Sequence, residues 1–357
     1  MSEYKFIEIK EKNIWDSFIE NTGNPQILQT YAWGEIKRNF SWEPLRFGFY
    51  QDDKLKGAVL LLKKIIPFSG GKSIFYAPRG PILDYHDSSI LNGLLEGVRQ
   101  INKYHKAIVL KIDPFISEDD EESKKKFLQC GFIKAEQEIQ PRCTFIVDLE
   151  MSIDEISKNF EPKTRYNIKL AVEKGVIIKK TDGEEGVSIF YTLLQETAKR
   201  DKFVIHSEEY YKTVWNLLKN DKRCEIFLAY VDNKVVAGVF LFIFNNTCWY
   251  MYGASNNLYR NYMPNQLLHW EVISWAQSLG IKNYDLWGIP CNLYPEHPLW
   301  GVYRFKKGFG GKQVKLIGSY DLPLSGFYYF LWKKGLDIYR KAINLKTRKS
   351  LNSALEE

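Results

Sequence analysis

The residues of this chain best suited to chemistry crowd into one short run. Arg304, Lys306 and Lys307 stand inside YRFKKGFGG (303–311), and Lys312 and Lys315 follow directly after it. Clustered donors of this kind bind an anion, or stabilise the oxyanion that develops during acyl transfer. The plainer reading is a basic surface that only meets phosphates. Arg79 sits in a Pro-Arg-Gly-Pro loop (78–81), where it either points into a cleft or pins the loop to a carbonyl. No metal site is expected: five cysteines and five histidines show neither C-x-x-C nor H-E-x-x-H spacing. The odd, dispersed cysteines (Cys130, Cys143, Cys224, Cys248, Cys291) imply reduced thiols in the cytoplasm.

These residues need a scaffold, and 357 positions with 45% hydrophobic and 15% aromatic content suffice for two well-filled domains. A net charge of +7 suits an anionic partner without naming one. Met1 to Lys12 is too charged for a signal peptide, and the longest apolar run, Val235 to Phe244, reads as a buried strand rather than a span. The expected protein is soluble or peripheral to a membrane.

Taken in order, the pattern predicts a helix over Glu11–Asn21 and another over Leu28–Phe40, where Trp33, Ile36 and Phe40 share a face and Lys37 flanks it. Pro44–Leu62 reads as a hairpin turning at Asp-Asp-Lys, and Cys224–Phe244 as another turning at Asp-Asn-Lys. Ser89–Tyr104 is a helix by its apolar spacing, and AIVLKIDP is a buried strand closing on Asp113-Pro114. Ser157–Val176 reads as one basic helix with Pro162 near its start. The run from Trp249 to Gly311 reads strand, loop, helix, strand, loop and a basic aromatic turn.

Landmarks in the first half recur 176 to 181 positions later: Lys54 and Lys234, Gly57 and Gly238, Tyr76 and Tyr252, Pro114 and Pro290, Gly131-Phe132 and Gly308-Phe309. This implies a duplicated α/β (α+β) unit, the alternative being two unrelated α/β domains of similar rhythm. The order hairpin, strand, helix, strand, helix, Gly-Phe strand resembles the GNAT acyltransferase fold, which implies two tandem domains of that type, each a mixed sheet flanked by helices. The boundaries expected are 1–148, completed by 318–357, and 149–317. Where the first copy has Leu128-Gln129-Cys130 the second has Phe305-Lys306-Lys307. The two lysines are not something packing calls for.

Together, LQTYAWGEIK (28–37), YAPRGP (76–81), KTRYNIKLAVEKGV (163–176), TAKRDKF (197–203), YMYGAS (250–255), WGIP (287–290) and YRFKKGFGG (303–311) make the chain resemble the FemABX peptidyltransferases. The resemblance implies transfer of an amino acid from aminoacyl-tRNA to the stem peptide of a peptidoglycan precursor, either UDP-MurNAc-pentapeptide or lipid II, with no cofactor. Glu208–Asn220 leaves room for one short helix, so the chain looks like the members without the coiled-coil arm. Matched by position, Lys37 and Arg200 grip the precursor's phosphates, and Tyr252 lies in the acceptor cleft, with Tyr76 and Arg79 as further substrate contacts. Lys306 stabilises charge during transfer, Phe305 supplies a carbonyl nearby, and Asp113 serves as general base. Asp113 also fits a bland role, since a strand-end Asp before Pro is often a turn residue. Arg304, Lys307, Lys312 and Lys315 meet tRNA.

An acyl-CoA enzyme on the same fold would need a glycine-rich turn at a helix start. Arg260–Asn265 puts Met263 and Pro264 there instead. A non-catalytic RNA- or envelope-binding protein is the third reading. The basic, aromatic tail over 327–349 aligns Trp332, Leu336, Tyr339 and Ile343, and either lies on the inner face of the cell membrane or docks on the first domain.

Overall fold

The structure, a computed structural model, describes residues 4–291 and 294–335. Its strands are, in chain order, β1 (Lys5–Glu8), β2 (Glu43–Gln51), β3 (Lys54–Ile65), β4 (Ser73–Ala77), β5 (Ala107–Ile112), β6 (Ile133–Lys134), β7 (Cys143–Asp148), β8 (Ile177–Thr181), β9 (Cys224–Val231), β10 (Lys234–Phe244), β11 (Thr247–Ser255), β12 (Asn283–Asp285), β13 (Lys312–Lys315) and β14 (Tyr320–Pro323). They form two sheets with the same plan: β1-β2-β3-β4-β5-β14-β6, and β8-β9-β10-β11-β12-β7-β13. In each sheet one pair is parallel, β4 with β5 and β11 with β12, and the others are antiparallel. The parallel pairs are bridged by helices Ser88–His105 and Pro264–Ser278, as a parallel connection requires.

The duplication is legible in backbone angles as well. Asp52 and Asp53 close the first hairpin with positive φ, and Asp232 and Asn233 close the second the same way. Two left-handed residues in a two-residue loop match the twist of the flanking strands. Asp and Asn tolerate that conformation better than other side-chain-bearing residues.

The chain divides into two compact units, one reaching Gln140 and resuming at Leu316, the other spanning Pro141–Lys315. The expected boundary at 148 therefore moves back, because β7 pairs with β12 and β13. The first sheet takes its sixth strand from beyond its own run of sequence, and the second takes its sixth from the head of its own run. β14, which follows the second unit, fills the gap between β5 and β6, while β7, which follows β6, fills the gap between β12 and β13.

Two local readings change, and for Trp332 in the tail the structure shows contact with the first unit, one of its two alternatives. The basic helix expected over 157–176 is two helices, Ile153–Asn159 and Pro162–Glu173, because Pro162 disfavours helical geometry at Glu161 and opens its own first turn. The run expected as a basic turn before Gly308 is a helix, Trp300–Lys307, with Trp300 stacked on Tyr303 one turn on. In the tail, residues 326–335 are helical, and Trp332 faces inward over the Lys111 ammonium. Leu336, Tyr339 and Ile343 lie outside the described residues.

That inward face rests on a buried ion pair. Lys111 on β5 meets Asp321 on β14, and Tyr329 donates its hydroxyl to the second oxygen of Asp321 at 2.8 Å. Asp321→Ala would leave the Lys111 ammonium buried without its counter-charge, at about 3–5 kcal/mol. Urea unfolding should show that loss, and Lys111→Met with Asp321→Leu should recover most of it.

Candidate functional site

Lys306 is the one residue that helix Trp300–Lys307 buries. Its Nζ donates to the carbonyl of Gly288 at 2.8 Å, reaches that of Trp287 at 3.4 Å, and lies 5.3 Å from the Tyr250 ring centroid. Burial holds its pKa down to about 8, with the negative charge of Asp285 working against that shift. An ammonium so placed exchanges a proton near neutrality, which an exposed lysine does not.

The carbonyls are presented by a turn that the sequence builds with care. Asp285, at the end of β12, accepts from Trp287 N at 2.7 Å and from the Thr144 hydroxyl. Trp287 is left-handed (φ 57°), and a Cβ on Gly288 would stand 2.8 Å from Pro141, so only glycine fits. Leu286 N and Ile289 N bond to Phe145 O and Cys143 O, tying the turn to β7. Cys143 and Cys291 close the same connection as a disulfide, with Cα atoms 5.4 Å apart. The expectation of five reduced thiols is thereby corrected, because β7 and the turn after β12 bring together two cysteines 148 positions apart.

Behind Lys306 stands an aromatic wall. His269 packs edge-on against Tyr250, touches the rings of Phe305 and Phe309, and shares a 2.8 Å hydrogen bond with the Tyr284 hydroxyl. Burial, aided by the charge of Lys306, lowers its pKa to about 3, so it stays neutral beside the lysine. Sequence reading missed Tyr250, His269, Thr144 and Asp285. The available signal was Asp285-Leu286-Trp287-Gly288, an Asp two residues before a backbone amide that it caps.

Arg304 and Lys307 point outward from the same helix, and Lys312 and Lys315 are exposed on β13, the edge strand that follows. In the same unit Arg200 donates to Ser255 O at 2.7 Å and pairs through two nitrogens with Asp201. Tyr252 packs edge-on among Tyr211, Phe240 and Phe242. Helix Pro264–Ser278 begins with a left-handed Met263 and then Pro264, which has no amide to offer a phosphate.

The first unit gathers Tyr76, Arg79 and Asp113. Asp113 is fully buried, and its oxygens accept from the Tyr76 hydroxyl at 2.7 Å and from Arg79 N. Burial raises its pKa to about 6, opposed by the charge of Arg79 and the hydrogen bond from Tyr76. Both oxygens are engaged, so Asp113 fixes the 76–79 segment rather than standing open as a proton acceptor. Tyr76 is buried too and spends its hydroxyl on Asp113, so it does not present itself as a substrate contact. Arg79, left-handed at φ 51°, lines a cavity of about 390 Å³ with Lys56, Asp84, Tyr85, Phe18 and Phe115. Lys37 lies half-buried in helix Tyr31–Arg38 with its ammonium 5.0 Å from the Trp33 ring.

The profile of the FemAB family matches residues 11–234 and 232–334. A lipid II:glycine glycyltransferase of Staphylococcus epidermidis is 25% identical over 388 aligned positions, covering 89% of this chain and 93% of that protein. The crystal structure of FemX superposes with a TM-score of 0.84 at 24% identity, covering 92% of this chain and 99% of that one. A tandem GNAT protein from the clavulanic acid pathway superposes at 0.56 with 10% identity, covering 90% and 99%. The expected α/β architecture of two GNAT-like domains is thus the observed one.

Asp113 carries a measurable pH signature. Its folded pKa, about 6, lies above the ordinary value near 4, so the folded state holds an extra proton between them. Stability from this group is full below pH ~4 and is lost as pH rises through about 6, on the order of 2–3 kcal/mol. The difference between wild-type and Asp113→Asn unfolding free energies, measured by urea from pH 4 to 7, should show that slope.

Proposed function

The chain belongs to the FemAB family, and from that footing we propose that it is an aminoacyltransferase that adds an amino acid to the peptide of a peptidoglycan precursor, with aminoacyl-tRNA as donor. The observation that carries the mechanism is the buried, carbonyl-held ammonium of Lys306. The acceptor amine attacks the ester carbonyl of the donor, a C–N bond forms, and negative charge moves onto the carbonyl oxygen. An N–H of Lys306 donates to that oxygen, where a water-poor setting strengthens the interaction. As the C–O bond to the ribose breaks, Lys306 gives a proton to the leaving oxygen and regains one from the attacking nitrogen. A pKa of about 8 keeps that exchange near balance.

The other assignments follow from position. Arg200 of the second unit suits phosphate oxygens of the precursor, which would take the place of Asp201, and Lys37 is a candidate phosphate contact of the first unit. Tyr252 and Phe305 line the acceptor side and the transfer point. Exposed Arg304, Lys307, Lys312 and Lys315 suit the phosphates of tRNA. Asp113 positions Tyr76 and Arg79. Lipid II is the acceptor in the name of the staphylococcal relative, and both lipid II and UDP-MurNAc-pentapeptide belong in the assay. Charged tRNA and a soluble UDP-linked acceptor are met in the cytoplasm, where we place the protein, and a lipid-linked acceptor is met at the inner face of the membrane. Among the described residues no helix is long and apolar enough to cross a membrane. An acyl-CoA donor is disfavoured by the missing amide at Pro264.

A transfer assay with labelled charged tRNA, run beside acyl-CoA, tests this reading. Lys306→Met should lower kcat by ~10²–10³ with little change in KM. Wild-type turnover should fall as pH rises past about 8, where Lys306 loses its proton. Undiminished turnover in Lys306→Met at saturating substrates, or acylation from acyl-CoA alone, would overturn the assignment.

A further inference from the structure

One end of the first sheet carries a surface that transfer chemistry does not use. β3 ends at Ile65, opposite Ser73 at the start of β4; Ser73 pairs with Ala107 at the start of β5; and Leu324, just past β14, bonds to Ile108. Topology therefore brings three protruding elements to this end: the 66–72 hairpin tip, the last turn of helix Ser88–His105, and the helix over 326–335. Each exposes large apolar side chains. Phe68 is fully exposed at the tip, Ile65 is 59% exposed beside it, Tyr104 is 84% exposed, and Phe327 68%. Lys72 lies 4.1 Å from the Tyr328 ring, which joins the tip to the tail helix.

The tail helix turns large apolar side chains outward. Tyr329 and Trp332 engage the Asp321–Lys111 pair beneath, which leaves Phe327, Phe330 and Leu331 on the exposed face with Lys334. A helix docked on a core by its polar contacts and presenting phenylalanines outward is the reverse of the usual arrangement. Charge at this end is basic. Lys63, Lys64, Lys72, Lys103 and Lys106 gather here, while Glu43, already paired with Lys63, and Glu8 are the carboxylates whose charge reaches His105.

We propose that this end of the first unit docks on an anionic lipid bilayer, with Phe68, Ile65, Tyr104 and Phe327 entering the interface and the lysines meeting lipid phosphates. Exposed apolar side chains with lysines on the same end of the sheet fit that partner, since aromatic rings settle at the headgroup boundary and lysine stems reach past it. Three separate tips rather than one concave groove fit a fluid, deformable surface better than a folded protein. The inference concerns binding alone and stands independently of the transfer reading.

Co-sedimentation of the full-length protein with vesicles tests it, using phosphatidylglycerol mixed with phosphatidylcholine against phosphatidylcholine alone. Wild type should partition onto the anionic vesicles and be released by added salt. Ile65→Ser with Phe68→Ser should lower the partition coefficient about tenfold, as should Lys72→Glu with Lys106→Glu. Circular dichroism and unfolding midpoints matching wild type would show that these variants keep their fold. Three results would each overturn the proposal: no binding by wild type, equal binding to both vesicle types, or unchanged binding by both double variants. So would a wild-type dimer in sedimentation velocity that Ile65→Ser with Phe68→Ser dissolves while vesicle binding is unaltered.

Discussion

A buried ammonium is costly unless carbonyls stand ready for it, and the second unit is arranged to have them ready. Lys306 holds its position because Trp287 and Gly288 turn their oxygens toward it. They do so because Asp285 caps the Trp287 amide, Thr144 buttresses that carboxylate, and Pro141 leaves room for glycine alone. Remove any of these and the lysine loses the geometry that depresses its pKa without exposing it. The charge of Asp285 also keeps the shift moderate, so the group stays protonated at neutral pH and still exchanges.

The two copies of the repeat show how small a change achieved this. The helix before Gly131-Phe132 buries Ser123 and Phe127, as a structural helix does. Its counterpart before Gly308-Phe309 buries a lysine. The first unit keeps its own buried charges, but each has a structural partner: Asp113 with Tyr76 and the Arg79 amide, Lys111 with Asp321. In those places charge fixes a loop or a strand, whereas in the second unit it is left with hydrogen-bonding capacity to spend.

Much of the fold was legible because periodicity and turn chemistry are local. The Asp52-Asp53 and Asp232-Asn233 turns, the apolar spacing of Ser88–His105 and the offset between halves all survive translation into structure. Lys306 was legible for a different reason: it breaks the repeat. What escaped was long-range. Nothing near Cys143 announces Cys291, nothing near Thr144 announces Asp285, and the pairing of β7 with β12 depends on a strand more than a hundred residues away. Asp113 was read as a base because its sequence shows a carboxylate, not the two donors that occupy it. The tail was read by its stripe, and Trp332 turned inward because a buried Lys111–Asp321 pair gives it a cation to cover.

The late position of β14 in the sequence has a consequence for how the protein is made. On the ribosome, β1 to β6 emerge before the second unit, yet the slot between β5 and β6 is filled only by β14, which follows that unit. The next strand to appear, β7, belongs to the other sheet and is itself idle until β12 arrives. For most of synthesis the nascent chain therefore carries two incomplete sheets with open edges, the surfaces most prone to wrong pairing. β14 closes the first sheet after the second unit is complete, so the first unit to begin is the last to finish, and a chain released before β13 has neither sheet closed.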